Sequence, residues 1–386
     1  MNNTRKKIMV IFGTRPEASK MCPVIKELKC YSDWFETKIV VTGQHREQLD
    51  QVLQGFGLVP DIDLNIMKPN QSLSYITSSA LLGLDEILND EKPDLILVHG
   101  DTQTSMVGAL AGFFHKIPVG HVEAGLRSNN KFSPWPEEVN RKVVDTVSDL
   151  LFAPTTVGKL NLIREGYDAK QIFVTGQTAV DAAAQTYEER YSFKECKLND
   201  LDVKNSRIIT VTAHRRENYG EPMRQIFQAI KKIADNNVNI KIVYPMHRSP
   251  IVRELAISIL GGHERILLLD PLDYSDMINL LSCSSFILSD SGGLQEEAAV
   301  FNKPLILMRD TTERQEAVDS GAVVLVGTDE RKIVELANKL LFEKEFYEKM
   351  ANSKNPFGDG KASHRIAQII CHYFGFIHEL PEEFDV

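Results

Sequence analysis

The chain has 386 residues, 43% of them hydrophobic and 25% charged, with a formal net charge of −9. Single cores stop growing at roughly 250–300 residues, so this length implies two domains. The acidic balance argues against a nucleic-acid binder held by bulk charge, while a local basic pocket still suits an acidic ligand. The five cysteines are scattered, with no CxxC pair, which speaks against a disulfide framework or zinc site and fits buried thiols in a reducing compartment.

The opening MNNTRKKIMVIFGTRPEA has too short an apolar run for a signal sequence and reads as a first buried strand, Lys7–Phe12. No stretch approaches the ~20 apolar residues needed to span a bilayer, so a cytoplasmic protein without membrane or nucleic-acid partners is expected. Gly13–Pro16 turns into a helix to about Tyr31, and Pro16 costs nothing there because first-turn N–H groups lack intrahelical partners. Strand Lys38–Thr42, helix Arg46–Leu53, helix Ser72–Asn89 and a strand ending at Val98 follow. Thr104–His115, rich in Ala, Gly and Phe, predicts a helix packed closely on a sheet. The alternation continues through Leu151–Ala153, Thr156–Glu165, Ile172–Thr175 and Ala179–Arg190. Each strand is a short, nearly continuous apolar run, as in parallel strands buried on both faces.

Composition turns polar around 191–206, where a linker is expected. A second alternation then runs through Ile208–Thr212, Met223–Asn236, Ile240–Pro245, Pro250–Leu260, Ile266–Asp270, Tyr274–Cys283, Phe286–Ser289, Leu294–Phe301, Pro304–Met308, Arg314–Ser320, Ala322–Val326 and a helix from about Glu330. The fold class is therefore α/β, with two doubly wound, Rossmann-like domains (1–190 and 207–361) and the active site expected in the cleft between them. A final helix, Ala362–Tyr373 within 362–386, is expected to pack back on the first domain.

The polar clusters sit at predicted strand ends, where ligands of such sheets bind. Asp101 follows one strand, Glu123 follows another, and Glu137 opens a helix; three carboxylates converging on one cleft suggest proton transfer, with at least one holding its proton near neutral pH. A turn-forming Asp101 and dipole-complementing Glu137 and Glu138 are the plainer alternatives. Arg15 and Lys20 flank the first helix start, suited to an anion or simply to a cap and a solvated lysine. His214, Arg215 and Arg216 make a local positive charge at another strand end, suited to phosphate or to an ion-pair network. Ser291-Gly292-Gly293 opens a helix, suited either to N–H groups approaching a diphosphate, with Glu297 placed for ribose hydroxyls, or to a plain capped turn whose acidic residues complement the helix dipole. The dense charges from Arg309 to Arg314 fit a ligand site or an interface, and His247 and Gln44 stand at other strand ends. No HExxH, Cys/His spacing or GxSxG motif occurs, so no metal is expected.

GTRPEASK, QHREQLDQVL, HGDTQTS, PVGHVEAGLR, SPWPEEVNR, TAHRREN, DSGGLQEEA, MRDTTERQEA and NPFGDGKAS occur in order across nearly the whole chain. With these motifs the sequence resembles the bacterial non-hydrolysing UDP-N-acetylglucosamine 2-epimerases, which have the GT-B fold. The resemblance implies interconversion of UDP-N-acetylglucosamine and UDP-N-acetylmannosamine by elimination and readdition of UDP through 2-acetamidoglucal, with no NAD, metal or other cofactor, in a homodimer. It implies Asp101, Glu123, Glu137 and His214 as catalytic residues. Arg15, Lys20, Arg141, Ser291, Gly292, Gly293, Glu297 and Arg309 are implied for UDP-sugar binding. Many members also hold a second UDP-N-acetylglucosamine as an allosteric activator, and of its residues Gln44, Glu137, Arg215 and His247 match. Glu47 replaces a glutamine and Asn70 an arginine of that site, so activation by substrate is expected to be reduced or absent. Ser19 for isoleucine and Gln315 for proline touch nothing catalytic. Rival readings are a hydrolysing epimerase releasing UDP and free N-acetylmannosamine, a retaining GT-B glycosyltransferase, and a nucleotide-sugar sensor that binds without turnover.

Overall fold

The computed structural model describes residues 5–43, 46–68, 71–203 and 205–385, with the backbone alone for 46–48. The chain forms two compact units, Met1–Gln185 with Phe357–Val386, and Thr186–Pro356. In the first unit the strands are β1 (Lys6–Phe12), β2 (Phe35–Val41), β3 (Ile62–Asp63), β4 (Leu95–His99), β5 (Val119–Val122), β6 (Leu150–Ala153) and β7 (Ile172–Val174). They make a seven-stranded sheet in the order β3-β2-β1-β4-β5-β6-β7, parallel throughout. All five residues of β4 are buried, which explains its apolar run Leu95–Val98: helices cover both faces and leave no solvent side, so only His99 at the carboxyl end is polar.

The second unit repeats the plan with β8 (Arg207–Thr212), β9 (Ile240–Pro245), β10 (Ile266–Leu269), β11 (Phe286–Ser289), β12 (Leu305–Leu307) and β13 (Val323–Leu325). Its six-stranded sheet runs β10-β9-β8-β11-β12-β13. Helix Glu221–Asn236 buries Met223, Ile226, Phe227, Ile230 and Ile233 on its core side, and each fully buried side chain of this size contributes about 1.5–3 kcal/mol.

In each sheet the strand order reverses between the first strand and its later neighbour, β1 beside β4 and β8 beside β11. In open parallel sheets such a reversal marks the ligand-binding point, among the loops beyond the carboxyl ends of the strands. A buried carboxylate ties the two loops together in both units. Glu17 accepts from the Gly13 and Thr14 N–H groups (3.1 and 2.8 Å) and from Thr102 and Ser105 hydroxyls (2.7 and 2.8 Å). Asp290 accepts from the His214 and Arg215 N–H groups (2.9 and 2.8 Å).

Helix Ala362–Tyr373 lies against helix Arg15–Cys30. Asp181 accepts from the Ala362 and Ser363 N–H groups (3.2 and 2.7 Å), neutralising its positive end. Phe376 stacks on Trp34 at 5.4 Å between centroids and meets Phe35 edge-on. The expected helix to Arg190 stops at Thr186, because the chain there enters the second unit, where Asn279 accepts from the Glu188 N–H (3.0 Å). The 191–206 stretch is anchored as well: Asp276 accepts from the Tyr191 hydroxyl (2.8 Å) and from the Lys194 and Glu195 N–H groups (3.0 and 2.9 Å).

Candidate active site

Glu123 follows β5 directly and is held with φ 73°, a left-handed conformation that costs a non-glycine residue about 1–2 kcal/mol. Its N–H and that of Ala124 both donate to the Phe152 carbonyl at 3.1 Å, which keeps the strained turn in place. Strain maintained by the surrounding hydrogen bonds is frequent where a side chain must be aimed. The carboxylate is 7% exposed. Its Oε2 receives the Lys20 ammonium and the Gln177 amide, the latter at 2.6 Å, and lies 3.6 Å from His99 Nε2. Burial pushes His99 down to about 3, so this imidazole is neutral.

Asp101 ends the turn after β4 and accepts from Arg141 at 2.5 Å. Arg141 lies on helix Glu137–Val147 and also reaches Glu138 (2.9 Å). Asn140 of the same helix donates to the Asp101 carbonyl (2.9 Å), so the helix start is docked on the Asp101 turn. Glu137 is half-buried at the first position, four residues before Arg141 and therefore on its face. Burial alone raises the Glu138 carboxyl, yet the Ser128 N–H and the Arg141 guanidinium outweigh it and leave the group below its ordinary range. Asp101, Glu123 and Glu137 thus gather at the carboxyl rim of one sheet.

A charged network lies beneath them. His121 Nδ1 is 2.6 Å from Asp145, and its Nε2 is 2.8 Å from the Gly100 carbonyl. Arg127 donates to Asp145 (2.7 Å) and to Glu165 (2.7 Å). The chain from Arg127 through Asp145 and His121 ends on the residue before Asp101 and fixes its turn.

In the second unit His214 stacks on His247 with centroids 5.1 Å apart and planes at 12°, and its Nδ1 lies 3.6 Å from Asp290. Ser291 is tied back by its N–H to Ser289 Oγ (2.9 Å), and Gly293 opens helix Gly293–Val300. A methyl group at Gly292 would stand 2.5 Å from Glu313 Oε1, 2.7 Å from Arg314 Nη1 and 3.4 Å from Arg215 Nη2. Only a bare Cα therefore leaves that charged cluster undisturbed. Arg309, 9% exposed, pairs with Glu217 (2.9 Å) and Glu313 (3.1 Å), while Arg314 pairs with Glu296 and Glu313, both at 2.6 Å. Although burial raises Glu313, the Arg314, Arg309 and Arg215 charges pull it down to about 2. Glu297 is half-buried in the helix after Gly293.

Lys20, expected to meet an anion or to be solvated, bonds the Glu123 carboxylate. Arg15 is exposed in the first helical turn. Gln44 and Asn70 lie outside the described residues, as does the Glu47 side chain. Gln177 and Asp145 carry no local signal and are ordinary polar residues until the fold supplies their partners. Asp290 heads the DSGGLQEEA motif and Arg314 closes the dense charges of 309–314, but their partners too come only with the fold. Among the described residues no group of His, Cys, Asp and Glu is arranged to hold a metal, and no helix is long and apolar enough to cross a membrane.

The family model for UDP-N-acetylglucosamine 2-epimerase matches residues 27–371. The chain belongs to the UDP-N-acetylglucosamine 2-epimerase family. The Bacillus subtilis UDP-N-acetylglucosamine 2-epimerase is 49% identical over 379 residues, 98% of each chain. A Staphylococcus aureus structure with UDP superposes with a TM-score of 0.90 at 46% identity, covering 98% of this chain and 100% of that one. The Neisseria meningitidis UDP-GlcNAc 2-epimerase bound to UDP-GlcNAc gives 0.86 at 45% identity, covering 94% and 99%. As a 2-epimerase the chain is an isomerase, and its two α/β units have the GT-B-like architecture of these relatives.

Proposed function

We propose that this epimerase interconverts UDP-N-acetylglucosamine and UDP-N-acetylmannosamine by eliminating and readding UDP, supplying N-acetylmannosamine units for surface polysaccharide. The reading is supported most by Glu123 and Asp101, two carboxylates on one rim that each pair with their own cation, Lys20 and Arg141. A carboxylate takes the proton from carbon 2 of the sugar, and the C–H electron pair becomes the double bond to carbon 1. The bond from carbon 1 to the diphosphate oxygen breaks, giving 2-acetamidoglucal and UDP. Return of UDP to carbon 1, with a proton delivered to the other face of carbon 2, yields the epimer. The step is redox-neutral, and a positioned base and acid typically contribute ~10²–10⁴-fold.

Carbon 2 needs an acid and a base on opposite faces, roles for which Asp101, Glu123 and Glu137 are the candidates. UDP departure puts charge on the diphosphate. Arg15, His214 and the N–H groups of Ser291–Gly293 are assigned to receive it, and loss of one such donor costs ~10²–10³-fold. Glu297 is assigned to the ribose, and Arg141 and Arg309 act by holding the carboxylates around them. The relatives solved with UDP and with UDP-GlcNAc support this ligand class.

Incubation of the protein with UDP-N-acetylglucosamine in D₂O, without added cofactor, tests the reaction. Proton NMR is expected to show deuterium entering carbon 2 together with the manno epimer. An unexchanged carbon 2 would overturn the reading, and free UDP rising in step with turnover would favour the hydrolysing reaction.

A further inference from the structure

Lys20 and Gln177 both donate to the same oxygen of Glu123, Oε2. The terminal torsion of a glutamate is broad, and an ammonium is a point charge that holds a position more firmly than an orientation. A planar amide donating to that oxygen from another element removes the remaining rotation. Lys20 comes from helix Arg15–Cys30, whereas Gln177 comes from the loop after β7. With Oε2 gripped from both, Oε1 is turned towards Gly100, 3.5 Å from where a Cβ would stand on that residue, and thus towards the turn that carries Asp101. Gln177 is itself rigid. It is 2% exposed, its N–H donates to the Phe357 carbonyl at 2.6 Å, and its carbonyl accepts from the Val180 N–H at 3.0 Å.

We propose that Gln177 is a positioning residue for proton transfer at carbon 2, its amide locking the Glu123 carboxylate so that one oxygen is held and the other is aimed. The proposal rests on the role given to Glu123 above. An amide suits the task because it adds a directed donor without a second charge beside Lys20.

Gln177→Met, which keeps the length and removes the donor, tests it. A misaimed base is expected to lower kcat by ~10–100-fold while KM changes by less than ~3-fold, since only the transition state uses the orientation. The isotope effect on kcat with carbon-2-deuterated UDP-N-acetylglucosamine is expected to rise, which a loosened fold alone does not produce. Because Gln177 acts through Glu123, adding Gln177→Met to Glu123→Gln is expected to cost nothing more. Losses that multiply, a raised KM at unchanged kcat, or wild-type turnover would overturn the proposal. Should Gln177→Met fail to fold, Gln177→Asn, whose shorter amide falls back from Glu123, must show the same kcat loss, and wild-type kcat there overturns it equally. Failure of the wild-type protein to exchange carbon 2 in D₂O would instead bring down the reading of the reaction.

Discussion

Asp145→Asn probes the charge buried under the acid cluster. Asp145 and His121 are 0% exposed, the Arg127 side chain is 2% exposed, and the carboxylate bonds both at 2.6 and 2.7 Å. Asparagine keeps the shape but replaces one accepting oxygen with an NH₂ that points at a cationic or N–H donor. Removing one partner from a buried ion pair typically costs ~3–5 kcal/mol. Arg127 keeps Glu165 at 2.7 Å, so the lower end, about 3 kcal/mol, is expected. With a urea slope of about 1–3 kcal/mol/M, the unfolding midpoint falls by roughly 1–3 M. The two tryptophans, Trp34 and Trp135, both lie in the first unit, so their fluorescence follows that unit without interference from the second. A midpoint within a few tenths of a molar of wild type would refute the reasoning. The pH dependence gives a second reading. Burial alone raises Asp145, but the His121 and Arg127 charges outweigh it and hold the carboxyl below its ordinary range. A depressed folded value means that its contribution is complete above the unfolded value of about 4 and fades as pH falls below it. Wild type is expected to lose first-unit stability below about pH 4, and Asp145→Asn to lack that component.

Glu123→Gln is expected to bind UDP within a few-fold of wild type by calorimetry yet turn over ~10²–10⁴-fold more slowly; wild-type rates would remove Glu123 from the chemistry. Gly125→Ala places a Cβ 2.3 Å from the Gly158 carbonyl oxygen at φ +82°. Neither backbone gives way easily, so its fluorescence midpoint should fall at least as far as that of Asp145→Asn. By the resemblance, Asn70 and Glu47 stand where the activator site has an arginine and a glutamine, so activation by substrate is expected to be reduced or absent and initial rates close to hyperbolic. Glu47→Gln with Asn70→Arg should introduce sigmoidality, and strongly sigmoidal rates in wild type would refute the prediction.

The doubly wound architecture was legible because its strands announce themselves. Ile240–Pro245, Pro250–Leu260, Tyr274–Cys283 and Ala362–Tyr373 begin and end where their apolar pattern does. The two-residue β3 was not, since so short an edge strand carries no period, and helix Lys344–Ala351 was hidden by its polar face. Asp101, Glu123 and Glu137 stood out because carboxylates at predicted strand and helix ends share a rim in such folds. Their partners did not. Lys20 and Gln177 are separated from Glu123 by 103 and 54 positions, and nothing local to either residue reveals a partner so distant. Asp145 reads as an ordinary surface position of an amphipathic helix until the sheet brings His121 beneath it.

The interleaving of the two units bears on how the protein is made. Helix Arg15–Cys30 leaves the ribosome before Thr186–Pro356, but the segment that covers it, with Phe374 and Phe376, follows only after all of that unit. The inserted unit therefore has its whole sequence available to fold while its host still shows an apolar flank around Trp34 and Phe35. Nascent chains stalled before residue 357 should engage chaperones through that flank, and release should coincide with the docking of the closing helix.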